Sequence, residues 1–185
     1  SQMETSVKTK FPFEGCFLCR EKRLSTEERT ENMTLPLEGV RVLDLSRYLP
    51  GPFCTQILAD FGAEVIKIED PRGGDLMRHV PPLIEGESAG FYTVNRNKKS
   101  LTLDLKTQEG KAIFLRLAAN SDVVVDQFRP GVMDKMGLGY EQLRRLNEGI
   151  IYCAITGYGL NGPLRDAAGH DLNYLSLAGI SELNG

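Results

Sequence analysis

The sequence predicts an α/β fold built on a doubly wound, mainly parallel sheet. Three observations carry this expectation. Short aliphatic runs alternate with segments of helical periodicity along most of the chain. The passage from Val40 to Glu69 reads strand, helix, strand within about 30 residues, the length of one βαβ unit. The run Asp122-Val123-Val124-Val125-Asp126 is apolar at consecutive positions, as a strand covered on both faces is.

The elements follow in order. Val40-Arg41-Val42-Leu43-Asp44-Leu45 is the first buried strand. Pro50-Gly51-Pro52 punctuates, and Phe53 to Phe61 is a helix whose apolar positions Phe53, Ile57, Leu58 and Phe61 recur at helical spacing. Gly62 stands where a helix-ending glycine belongs. Glu64 to Glu69 is the second strand, with Val65, Ile66 and Ile68 apolar. Residues 71–100 form a long, largely polar connection, a length that implies function. Leu101 to Leu105 is a strand of period two, and Thr107 to Ala119 a helix with Ile113, Phe114, Leu117 and Ala118 on one face. After the strand Asp122–Asp126 come short helices at Gly131–Met136 and Tyr140–Leu146. Ile150 to Ile155 is the last strand, Gly157 to Gly169 a glycine-punctuated loop, and Asp171 to Ala178 a helix.

Composition narrows the class. The 185 residues carry 25 acidic and 22 basic side chains, are 41% apolar and are 25% charged. That is ordinary globular usage, and a formal charge of −3 gives no footing for nucleic acid. No apolar run approaches the roughly 20 residues of a membrane span, so neither nucleic acid nor membrane is an expected partner. Residues 1–32 hold six basic and six acidic side chains, and Arg20 to Asn32 offers one aliphatic residue, Leu24. This stretch is expected to be a flexible N-terminal extension that builds no core, with Met33 as the natural start. Its Cys16 and Cys19 lack the second ligand pair of a zinc site. Four cysteines in all, with no secretion signal or convincing transit peptide, fit a reducing compartment. The expected location is cytoplasmic, or mitochondrial or peroxisomal in a eukaryote.

Several chemistries are missing. No G-x-G-x-x-G follows the first strand, and there is no G-x-x-x-x-G-K-[ST] or G-x-S-x-G. Gly157, Gly159 and Gly162 match the first spacing, but no helix opens there. Two histidines, His79 and His170, argue against a His-built metal site, and no metal is expected. In open α/β sheets ligands sit at the carboxyl ends of strands. Three segments are predicted there: Ser46 to Pro52, the long connection with Arg72, Arg78, Arg96, Lys98 and Lys99, and Gln127 to Gly131 with Arg129. Their basic side chains are expected to converge on a large anionic ligand through charge-assisted bonds. His170 precedes a predicted helix, whose dipole disfavours an imidazolium and stabilises a developing anion, so it is the candidate general base.

Ordered blocks then carry a resemblance. Leu37 to Ser46, Pro50 to Cys54, Leu58 to Lys67, Ile68-Glu69-Asp70-Pro71 with Gly73-Gly74-Asp75, Asn95 to Leu101, Leu103 to Lys106, Asp126 to Gly131, Gly137 to Tyr140, Ile155 to Gly159 and Gly169 to Tyr174 follow one another. Together, from about Leu35 to Gly185, they resemble the family III CoA-transferases, the CaiB/BaiF family. The resemblance implies a Rossmann-like large domain, of which residues 33–185 would be the N-terminal part, and an interlocked homodimer. It implies an acyl-CoA substrate, with no cofactor beyond coenzyme A itself. Gly169-His170-Asp171-Leu172-Asn173-Tyr174 is similar to the α-methylacyl-CoA racemase branch. In that branch a histidine and an aspartate act as two bases, so His170 would be one, and the aspartate is expected beyond Gly185. Thr102, Leu103, Asp104, Leu105, Arg129, Gly169, Asp171, Leu172, Asn173 and Tyr174 would line the CoA and thioester site, with Pro50 and Lys135 in the same pocket. Where many relatives have a nucleotide-binding arginine this chain has Asp70, and Arg72 is the substitute. The expected function is racemisation at the α-carbon of 2-methylacyl-CoA. The alternatives are CoA transfer between carboxylic acids through an aspartate nucleophile, as in the family's other branch, and an inactive CoA-binding fragment.

Overall fold

Five parallel strands form the sheet of the computed structural model, which describes residues 35–183. The extension predicted at 1–32, with its CxxC, lies outside the described residues. The strands are β1 (Arg41–Asp44), β2 (Glu64–Glu69), β5 (Lys98–Thr102), β6 (Val123–Asp126) and β7 (Ile151–Ala154), in the spatial order β5-β2-β1-β6-β7. The chain winds outward from β1 through β2 to β5, then returns to β6 and β7 on the other side. This is the doubly wound topology expected, and its direction reverses between β1 and β6.

Strands β1, β2 and β6 form because aliphatic residues alternate between two covered faces. Leu43 and Val124 enter a core with Leu45, Ile68, Phe114 and Leu143, under α3 (Gln108–Ala118), α4 (Val132–Lys135) and α5 (Tyr140–Leu146). Val42, Val65 and Val125 point the other way, against Ala59 and Ala63 beside α1 (Pro50–Asp60). Thr107 caps α3 by accepting a bond from the Gly110 amide at 3.0 Å. Helix α1 starts three residues before the predicted Phe53, because prolines are tolerated in a first turn that has no amide partners. Gly62 ends it at φ +102°, and a Cβ there would lie 2.5 Å from that of Leu35.

The apolar positions of α1 divide: Phe53 and Phe61 are about half exposed, Leu58 packs against the cluster of Val42, Val65 and Val125, and the buried side is Pro52, Thr55, Gln56 and Ala59. Thr55 faces inward because its hydroxyl meets Asp44 and Lys98 on the sheet, while Gln56 donates to Asp60 on the same helix. The third strand in sequence starts at Lys98, not Leu101. Its residues Lys98 to Thr102 pair with Val65 to Glu69, and Leu103 adds one further bond to the Glu69 carbonyl at 2.8 Å. The connection 71–100 is not open loop. It holds a 3₁₀ turn (Leu76–His79), a two-residue hairpin of β3 (Leu83–Ile84) and β4 (Glu87–Ser88), and α2 (Ala89–Asn95), with Ser88 as its cap. The chain closes with α6 (Asp171–Leu177) and α7 (Ile180–Leu183), which contact each other far more than the sheet. Among the described residues no helix is long and apolar enough to cross a membrane.

Candidate functional site

The reversal between β1 and β6 leaves a crevice at their carboxyl ends. Arg47 leaves β1 and Phe128 leaves β6, and the Arg47 guanidinium lies 5.5 Å from the centre of the Phe128 ring. The cleft they open holds about 70 Å³ and is lined by Asp70 from the end of β2 and by Leu103, Asp104 and Leu105 beyond β5, with Lys106 at its edge. Asp70 is clamped by Arg72 through two bonds of 2.9 Å, which hold its carboxyl well below the usual range. That clamp is exposed, so its contribution to stability is small.

Beneath the cleft lies a buried ionic network. Asp44, at the end of β1, accepts bonds from the Ser46 amide at 2.9 Å, the Ser46 hydroxyl and the Thr55 hydroxyl at 2.6 Å. Lys98 Nζ lies within 3.0 Å of Asp44 Oδ2, Thr55 Oγ1, Asn95 Oδ1 and the Pro52 carbonyl. Burial works against the Asp44 charge, but Lys98, Lys67 and the hydroxyls outweigh it and hold its pKa low. Burial pushes the Lys98 ammonium down to about 8. Lys67 Nζ donates to the Ser46 carbonyl at 2.8 Å and sits 2.9 Å from Asp75 Oδ2. Glu69 accepts from Arg78, Ser100 and the Asp75 amide at 2.6–3.0 Å. The Arg78 guanidinium also lies 3.8 Å from the centre of the Phe91 ring. These bonds tie residues 46–48 and 75–78 to the sheet and so fix one wall of the crevice.

A larger cavity, about 440 Å³, opens on the other side of β6 between its carboxyl end and β7. Asp126 and Tyr152 form its floor. Burial raises the pKa of both groups, and a bond between the two side chains lowers Asp126 and raises Tyr152 further. Tyr140 packs beside Tyr152 with ring centres 6.1 Å apart. Met133, Ile150 and Leu160 supply apolar wall, and Arg129 stands at the rim.

The predicted site residues divide into three groups. Leu103, Asp104 and Leu105 line the smaller cleft and Arg129 the larger cavity. Arg72 stands beside the first through Asp70, while Thr102 is exposed at the end of β5. Pro50 and Lys135 are exposed on α1 and α4 and line neither space. Gly169 to Tyr174 form a separate, mostly exposed stretch that runs from the preceding loop into α6. His170 precedes α6, and its amide donates to Asn173 Oδ1 at 2.9 Å. Tyr174 packs on Tyr158 at 5.3 Å, and a Cβ on Gly169 would lie 2.5 Å from Tyr158 Oη. Asp171 is exposed and Leu172 is 74% exposed. His170 and Asp171 are therefore open to solvent, not enclosed in a cleft. The expected convergence of basic residues is corrected too. Lys98 is buried against Asp44, Arg78 is half-buried against Glu69, and Arg96 and Lys99 pair with Asp60 and Glu64. Lys98 and Lys99 begin β5, at the end of the strand opposite the crevice.

Comparison with known proteins places this geometry. The family model described as CoA-transferase family III matches residues 37–185. Succinyl-CoA:glutarate CoA-transferase of Mus musculus is 48% identical over 151 residues, covering 81% of this chain and 35% of that protein. Succinyl-CoA--D-citramalate CoA-transferase of Chloroflexus aurantiacus is 46% identical, covering 81% of this chain and 38% of that protein. The chain thus spans little more than a third of the length of these relatives. A crystal structure of a CAIB/BAIF family protein from Brucella suis aligns with TM-score 0.75 at 43% identity, over 80% of this chain and 40% of that one. Rv3272 from Mycobacterium tuberculosis aligns with TM-score 0.74 at 46% identity, over 80% and 41%. A doubly wound sheet with its crevice at the β1–β6 reversal, matched over residues 37–185, makes this chain a member of CoA-transferase family III.

Proposed function

We propose that the chain serves in the transfer of CoA between carboxylic acids, supplying the CoA-binding sheet edge and the carboxylate that accepts the acyl group. The observation that carries this reading is the identity of 46–48% to proteins named as succinyl-CoA transferases. It favours transfer over the racemase expectation. CoA lies along the crevice at Arg47 and Leu103–Leu105, where apolar and cationic groups suit an adenine nucleotide. Asp171 is the accepting carboxylate. It is exposed, and no hydrogen bond or ion pair engages its side chain among the described residues, whereas Asp44 and Asp70 are held by cations.

The step balances without an added reagent. The Asp171 carboxylate attacks the thioester carbonyl, the C–S bond breaks and CoA leaves as a thiolate. The thiolate then attacks the aspartyl carbonyl of the mixed anhydride, releasing the donor acid and leaving an aspartyl-CoA thioester for an acceptor carboxylate to open. A homodimer is part of the same reading, supported by the exposed Leu172, Leu177 and Leu183 on α6 and α7. The test is to incubate the 185-residue chain with succinyl-CoA and quench with hydroxylamine. A hydroxamate is expected on the peptide bearing Asp171 and absent in Asp171→Ala; an unlabelled Asp171 peptide refutes the assignment. The racemase reading rests on His170 beside Asp171. It would displace transfer if 2-methylacyl-CoA exchanged its α-proton for deuterium and His170→Ala stopped the exchange.

A further inference from the structure

We propose that Asp75 is a positioning residue for CoA: from its buried pair with Lys67, it holds the turn after β1 in the conformation that presents Arg47 to the crevice. The inference rests on the reading that CoA lies along that crevice, and it adds a residue that acts on the ligand through another. Asp75 is 1% exposed and stands 27 positions from Tyr48 in the turn it controls. Its Oδ1 accepts the Tyr48 amide at 3.1 Å and the Met77 amide at 3.0 Å. Its Oδ2 lies 2.9 Å from Lys67 Nζ, which donates to the Ser46 carbonyl at 2.8 Å. The backbone is thus pinned on both sides of Arg47, by Lys67 at Ser46 and by Asp75 at Tyr48.

The pinned conformation is a costly one. Tyr48 has φ +61°, in the left-handed region that a bulky residue enters at a cost of about 1–2 kcal/mol and keeps only where its surroundings impose it. Tyr48 is 45% exposed, so the backbone bond to Asp75, and not packing of the ring, imposes it. A buried ion pair returns little net stability over an apolar pair of similar size, so geometry is what Lys67 and Asp75 contribute. Its product is the place of Arg47 in the cleft lining, 5.5 Å from the centre of the Phe128 ring. The carboxylates of that cleft are engaged: Glu69 by Arg78, Asp70 by Arg72, and Asp104 by the Lys106 amide. Arg47 is exposed and forms no ion pair among the described residues, which leaves its charge for an anionic ligand.

The 185-residue chain is titrated calorimetrically with CoA as wild type, Asp75→Asn, Arg47→Ala and the double variant. Asp75→Asn and Arg47→Ala should each weaken CoA about tenfold. The double variant should match Arg47→Ala to within about twofold, because Asp75 acts through Arg47. A merely structural role would add its own loss, about a hundredfold in all, and that result overturns the proposal, as does wild-type affinity in either single variant. Tyr48→Pro repeats the cycle with the buried charges left in place: it removes the amide that Asp75 accepts and excludes a positive φ, at an exposed residue. It should reproduce the loss in the wild-type background and add nothing to Arg47→Ala; an additive loss here also overturns the proposal. Where Asp75→Asn does not fold, this second cycle decides. Failure of wild type to bind CoA overturns the reading of the crevice, whereas CoA binding that Arg47→Ala weakens and Tyr48→Pro leaves intact overturns this inference alone.

Discussion

Replacing Lys98 with methionine tests whether the buried ions hold the crevice together. The side chain keeps its length and apolar stem but loses its charge. Asp44 is then left buried beside Ser46 and Thr55 without its nearest cation, and Asn95 Oδ1 and the Pro52 carbonyl lose a donor. Removing one partner of a buried pair costs about 3–5 kcal/mol, because the remaining charge keeps its desolvation penalty. Lys67 softens this but cannot replace it, since its ammonium is bonded to the Ser46 carbonyl and paired with Asp75. For a domain of this size the cost corresponds to a fall in Tm of roughly 6–20 °C. Urea unfolding followed by far-ultraviolet circular dichroism reads the change directly. The double variant Asp44→Asn/Lys98→Met removes both charges, and should be more stable than the sum of the single losses predicts by at least about 1 kcal/mol. A Lys98→Met variant within about 1 kcal/mol of wild type, or strict additivity in the cycle, would refute the argument.

Other outcomes follow from the same geometry. Burial opposes the Glu69 charge, yet the bonds from Arg78, Ser100 and the Asp75 amide hold its pKa at about 2, below the ordinary 4.5. A folded-state pKa below the unfolded one gives stability that is present above about pH 4.5 and lost as pH falls toward 2, roughly 3 kcal/mol in all. Glu69→Gln should therefore be less stable at pH 7 but show a shallower decline in acid; parallel curves would count against the assignment. Gly110→Ala places a Cβ 1.9 Å from the Asp104 carbonyl oxygen, a backbone atom that cannot step aside alone. A loss of about 2–4 kcal/mol is expected in the same denaturation assay, and a neutral effect would show that the turn before α3 is free to move. The Asp171 hydroxamate completes the set.

Particular elements show why some of this was legible in the chain and some was not. β1, β2 and β6 were readable because a strand covered on both faces must be aliphatic, and Val42-Leu43 and Val123-Val124-Val125 admit few other environments. The start of β5 is not legible in the chain because the strand begins with Lys98 and Lys99, whose charges read as loop. Helix α2 was hidden by its length of seven residues, too short for a periodicity to register. His170 stands just ahead of a helix that begins at Asp171, as the local pattern predicts, but the exposure of this stretch has no local signature.

The sequence by itself determined the parallel sheet, the strand–helix alternation and the family blocks, because these depend on residue type and local order. Only the tertiary structure decided which charges are free to meet a ligand. Of the basic residues assigned to an anion, Lys98 is buried against Asp44, and Arg78 and Arg72 are held by Glu69 and Asp70. Arg165, which no motif marked, stands over Gly131. The physical reason is that an ion pair forms between residues far apart in the chain: 54 positions separate Asp44 from Lys98. Whether a charge is already neutralised is a property of distance in space, which residue order alone does not specify.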